Sequence, residues 1–240
     1  MHVHKKFVMS SELSYNQVVD LNNAAVDDFE CGRLVDGELR LRQAVQAAYS
    51  LLNCSATEQA EAQVEASIDD TNSAHGGWSK PPSIGEHATC KQSNDMFIFA
   101  RIIRLTSFEN DPPAPSTYVS FITYNLAVTV HIMASTRSGL PLHFEAACRL
   151  YKMSLRRTKQ DGCQLTGNQS LLRIGTLNNL GALLYSEVMR YSEANKCFQS
   201  MHALLITHRG DPQLSTLTDE ELFELTMNLN VRNAQSASAA

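Results

Sequence analysis

Apolar positions along this chain recur mostly at helical spacing. In His143–Thr158, Phe144, Ala147, Cys148, Tyr151 and Leu155 fall three or four residues apart, with Arg149, Lys152 and Arg156 off that face. In Ser192–Thr207, Ala194, Phe198, Met201 and Leu205 form a second stripe, and Ser170–Glu187 precedes it as its partner helix. Residues 14–53 also read as helical. Thr218-Asp219-Glu220-Glu221 is a capping box that opens a last helix, with Leu222, Phe223, Leu225 and Leu229 as its apolar positions. Ser116–Met133 is rich in β-branched residues, but it is too long for a strand, and Pro115-Ser116 suits a helix start.

Two stretches break this pattern. Residues 54–95 carry Asp69-Asp70, Gly76-Gly77, Pro81-Pro82 and Gly85, with few large apolar residues outside a short helical piece near Glu58–Ile68. That composition predicts a mobile linker. Met96-Phe97-Ile98-Phe99-Ala100-Arg101-Ile102-Ile103-Arg104-Leu105 is β-branched and aromatic, and is stopped by Asp111-Pro112-Pro113-Ala114-Pro115. It predicts an extended strand. A lone strand needs a partner for its backbone groups. The sequence shows none beyond a weak hairpin with nearby residues. A separate alternative to the mobile linker is a folded one that lays Trp78, the single tryptophan, into a groove as an internal ligand.

Thr176-Leu177-Asn178-Asn179-Leu180-Gly181-Ala182-Leu183-Leu184-Tyr185, followed by Arg190-Tyr191-Ser192-Glu193-Ala194 and Phe198, resembles a tetratricopeptide repeat. The Asn-Asn-Leu-Gly text is similar to the repeats of kinesin light chains. Leu180, Gly181, Leu184, Ala194 and Phe198 match the signature; Met201 replaces a small residue, and the turn is one residue longer than usual. A weaker copy has Ala25, Gly37 and Ala44 at the small sites. Another has Ala127, Ala147, Tyr151 and Ser154, with extra residues in a turn near Ser135–Pro141. Packing explains the pattern, since small residues let paired helices approach and the aromatic fills the gap between repeats.

The resemblance implies an all-α, tetratricopeptide-like α-α solenoid of about three helical pairs with a capping helix and one isolated strand or hairpin. The organisation expected is a flexible N-terminus over 1–13, a first helical repeat over 14–53, a mobile linker over 54–95 and an extended segment over 96–115. Two repeats and the capping helix follow over 116–232, then a flexible tail over 233–240. The resemblance also implies a groove that binds peptides. Asn23, Asn125 and Asn179 each precede the small residue of a first helix by two positions, and Tyr124 and Asn178 lie beside them. An amide donates and accepts, so it holds an extended peptide backbone without reading its sequence. An equal alternative is that each Asn bonds the neighbouring helix. The basic residues of a carboxylate clamp are missing, so the groove is expected to be polar-neutral and apolar, not basic.

Composition narrows the function. The 240 residues are 43% hydrophobic and 19% charged, which suits a globular chain. The net charge of −5 gives no basic patch for nucleic acid or a membrane surface. The longest apolar runs are interrupted by Arg101 and His131, and the N-terminus lacks a secretory core, so a cytoplasmic or nuclear location is expected, not secretion. Six scattered cysteines without a C-x-x-C pair suggest reduced thiols. No nucleotide-binding, zincin or serine-hydrolase motif is present. His75, His87 and Cys90, with Cys54 upstream, have poor zinc spacing and read as solvated linker residues. His131 reads as a partly buried core histidine. The expectation is a non-enzymatic scaffold for a protein or peptide partner, without cofactor or metal. The alternatives are a self-assembling structural protein or, with less support, a small-molecule sensor or enzyme using the groove.

Overall fold

The first helical pair turns at Gly32. Its φ of +74° lets Arg33 N–H reach back to the Asp28 carbonyl at 2.8 Å, which closes helix α1 (Met9–Glu30) before α2 (Leu34–Ala62) begins. A computed structural model describes residues 9–62, 76–78, 96–105, 115–136, 141–160, 167–210 and 214–238. Among these, two short strands follow α2, β1 (Gly76–Trp78) and β2 (Ile103–Leu105). Four helices come next, α3 (Pro115–Thr136), α4 (Pro141–Gln160), α5 (Gly167–Ser186) and α6 (Tyr191–Thr207). A 3-10 turn at Leu214–Thr216 leads into α7 (Asp219–Ser238).

The chain is thus all-α, with seven helices among the described residues packed as adjacent antiparallel pairs. Each helix packs on the next, and α5 also touches both α3 and α7. The α4 stripe buries Phe144, Ala147, Cys148 and Tyr151, and the α6 stripe buries Ala194, Phe198 and Met201. On α7, Leu225 is buried, whereas Leu222 and Phe223, read from the sequence as core positions, face outward. The capping box forms as expected: Glu221 N–H donates to Thr218 Oγ1 at 3.1 Å, and Thr218 N–H donates to Glu221 Oε2 at 2.9 Å.

The small residues sit where helices meet. A Cβ on Gly181 would lie 2.6 Å from the Phe198 ring, and one on Gly37 would lie 3.2 Å from the Ala25 carbonyl. Ala127, Ala147, Tyr151 and Leu180 are buried in the same core. The long turn between α5 and α6 places Met189 in the left-handed region at φ 54°. Thr117–Thr136 is long and apolar enough to cross a membrane, unlike the interrupted runs expected from the sequence, but 83% of that window is buried inside this fold.

Several boundaries move. Helix α2 runs past Asn53 to Ala62, and Gly76–Trp78 pairs with Ile103–Leu105, so part of the expected linker is regular structure. Helix α1 starts at Met9, inside the expected flexible N-terminus, and α7 continues to Ser238, inside the expected tail. In α7, local helix propagation carries the end past Val231, the last large apolar residue of the sequence. The rest of the linker, His75, His87 and Cys90, and the proline run before Pro115 lie outside the described residues.

Candidate functional site

Residues 96–105 run extended across the odd-numbered helices, and asparagine side chains hold their backbone. At Phe97, Asn228 Oδ1 accepts from the N–H at 3.0 Å, and Asn228 Nδ2 donates to the carbonyl at 2.9 Å. Asn179 does the same at Phe99, at 2.7 and 2.9 Å. Asn125 holds Ile103, both bonds at 2.7 Å. Asn23 holds Leu105, at 2.8 and 2.7 Å. Each carboxamide therefore imitates one edge of a neighbouring strand.

The spacing follows from strand geometry. In extended chain, alternate residues present their N–H and C=O to the same side. Residues 97, 99, 103 and 105 obey that rule, and the segment passes from α7 through α5 and α3 to α1. At the position between, Tyr124 donates from its hydroxyl to the Arg101 carbonyl at 3.0 Å and also lies 3.4 Å from the Phe99 carbonyl. Tyr124 is fully buried, and burial, with lesser help from nearby Tyr151, pushes its hydroxyl well above the usual range, so it remains a donor. On the other edge, Ile103–Leu105 pairs antiparallel with Gly76–Trp78, with Trp78 opposite Ile103.

A second tier orients the amides. Asn22 and Asn178 add bonds to the Ile103 and Phe97 carbonyls at 2.9 and 3.0 Å. Their own Oδ1 atoms accept from Asn125 Nδ2 and Asn228 Nδ2, both at 2.8 Å, which ties α1 to α3 and α5 to α7. Asn22, Asn125, Asn178, Asn179 and Asn228 are essentially fully buried, whereas Asn23 is half-buried at the end of the row. Buried amides left unpaired are costly, so this network is stable only with a peptide backbone in place. Of the two sequence alternatives, the bond to a neighbouring helix is made by Asn125, to Asn22, while the extended backbone that the row holds is the chain's own.

Side chains of the segment are held as well. The Phe99 ring fills space left by Gly175, whose Cβ would stand 2.6 Å from Phe99 Cδ1 and 2.9 Å from Tyr124 Oη. Arg101 forms a bidentate pair with Glu221 of α7, both side chains about 10% exposed. Arg104 reaches Asp27 at 2.7 Å and Glu30 at 3.3 Å, in a more open setting. Behind the ladder, His131 Nδ1 lies 3.3 Å from the Tyr151 hydroxyl. Burial pushes His131 down to about 4 and raises the Tyr151 hydroxyl, whose bond to Asn179 opposes that rise.

The sequence reading brought forward Asn23, Asn125, Asn179, Tyr124 and Asn178, and all five meet on one segment. It missed Asn228, although an Asn between Leu225 and Leu229 interrupts an apolar stripe. It also missed Gly175 and Arg101, and it read Glu221 only as a cap. Cys148 and Cys197 are free thiols raised to about 11 by burial. Among the described residues, no three His, Cys, Asp or Glu side chains gather as metal ligands would. Set against known protein families, curated proteins and solved structures, the chain matches none.

Proposed function

We propose that this chain is a non-catalytic protein- or peptide-binding scaffold of the tetratricopeptide-like solenoid type, with the asparagine-lined face of its odd-numbered helices as the binding groove. The observation that carries the reading is the row of Asn23, Asn125, Asn179 and Asn228, each closing two hydrogen bonds on one residue of an extended backbone. Such bonds suit any extended peptide, because they ignore side chains. Residues 96–105 then act as a built-in occupant. Gly181 against Phe198 and Gly37 against Ala25 support the repeat assignment. The scaffold works in the cytoplasm or nucleus, on a protein partner and not on nucleic acid or membrane.

The test is a titration of the full-length protein with a labelled peptide of residues 96–105, followed by amide hydrogen exchange. Peptide binding should deprotect the chain's own 96–105 while α3 and α5 remain protected. No binding, or binding that leaves the exchange of 96–105 unchanged, rules this reading out.

One observation favours self-association as a second reading. Leu222, Phe223 and Met227 are exposed on α7, the last helix of the row. Light scattering on the wild type and on Phe223→Glu separates it: a dimer that the variant abolishes supports it.

A further inference from the structure

We infer that this groove selects partners carrying an arginine two residues after an aromatic and two residues before an aliphatic, and that such a partner replaces residues 96–105. The inference rests on the peptide-binding reading above and adds the side-chain chemistry that the asparagine row lacks. Amides that bond only N–H and C=O cannot tell one extended segment from another. Selectivity must come from the places where the groove meets side chains.

Three such places lie along the segment. Gly175 leaves a notch shaped for a flat ring, occupied by Phe99. Ile103, buried at 1% exposure, fills an apolar site beside α3. Between them, Glu221 presents both carboxylate oxygens to the Arg101 guanidinium.

Glu221 is positioned independently of the segment. Its Oε2 accepts from the Thr218 N–H at 2.9 Å and from Thr218 Oγ1 at 3.1 Å, so the helix cap aims it before any ligand arrives. Among the described residues, Arg101 is its one cationic partner. A ligand with a neutral residue here would leave a buried carboxylate without a counter-ion, which is strongly unfavourable. A lysine supplies the charge but not the planar two-pronged fit. Arg104 differs, since its side chain is 38% exposed and its pairs with Asp27 and Glu30 are open to water. Exposed pairs of that kind contribute little, so the second arginine is dispensable.

The test uses full-length chains and two fluorescein-labelled peptides of residues 96–105, one unchanged and one with glutamine in place of the central arginine. Arg101→Gln in the chain weakens the built-in competitor and leaves Glu221 in need of a cation. That chain should bind the arginine peptide at least about tenfold tighter than the glutamine peptide. Glu221→Gln, which keeps the cap, should erase the difference. Equal binding of both peptides by the Arg101→Gln chain overturns the selectivity while leaving the groove reading intact. Binding of neither peptide by a chain that still melts cooperatively overturns both. If Arg101→Gln fails to fold, Arg101→Lys is titrated instead, with the same outcomes deciding.

Discussion

Phe99 lies directly over Gly175, with its ring in the volume where any other residue would carry a Cβ. That Cβ would sit 2.6 Å from Phe99 Cδ1, and the Tyr124 hydroxyl at 2.9 Å closes the other side. Gly175→Ala should therefore destabilise the fold by about 1–3 kcal/mol through overpacking. Phe99→Ala alone should cost about 3–5 kcal/mol. In the double variant the alanine methyl meets no ring, so the two losses should fall short of adding. Urea melts of the four chains measure that coupling, and simple additivity would count against the contact.

Asn125 is a fully buried amide of the row. Removing it strands the Ile103 N–H and the Asn22 Oδ1 within a buried site, while the Ile103 carbonyl keeps its bond from Asn22 Nδ2 at 2.9 Å. At about 1–3 kcal/mol for each stranded group, Asn125→Ala should lose at least about 2 kcal/mol. Asn23→Ala, at the half-buried end of the row, should lose less. The amide of Ile103 should exchange much faster in Asn125→Ala than in the wild type. A variant with unchanged stability and exchange would mean that the segment does not rest on this side chain.

Gly181→Leu tests the helix-pair packing independently of the ladder. The substituted Cβ would stand 2.6 Å from the ring of fully buried Phe198. The expected loss is about 1–3 kcal/mol or more. Thermal unfolding reads it directly, and an unaltered melting temperature would remove the basis for the close α5–α6 approach.

Acid should weaken the core through His131. Burial lowers its imidazole from 6.5 to about 4. Between those values the unfolded chain binds a proton that the folded chain refuses. This contribution is present in full above pH 6.5 and is lost as the pH falls through 4. It amounts to roughly 3 kcal/mol over that window. His131→Gln should flatten the pH dependence of stability between about 6.5 and 4, measured by denaturant melts across the range. A variant whose acid sensitivity matched the wild type would assign that sensitivity to other groups.

Much of this protein was already legible in its sequence, where the deciding interactions are local. The stripes of α4 and α6, the cap from Thr218 to Glu221 and the small residues Gly37 and Gly181 all follow from spacings within a turn or two of helix. The tripled position of Asn23, Asn125 and Asn179 marked amides that hold an extended backbone. What covers those amides was decided only in three dimensions. Strand-like segment 96–105 has no helix periodicity to declare its neighbours. Its partners lie 22 residues away at Asn125 and 131 residues away at Asn228. The same distance hid Gly175 and the pairing of Arg101 with Glu221. Helices are specified by bonds along the chain, whereas an extended segment is satisfied by whatever side-chain donors and acceptors the folded helices bring beside it.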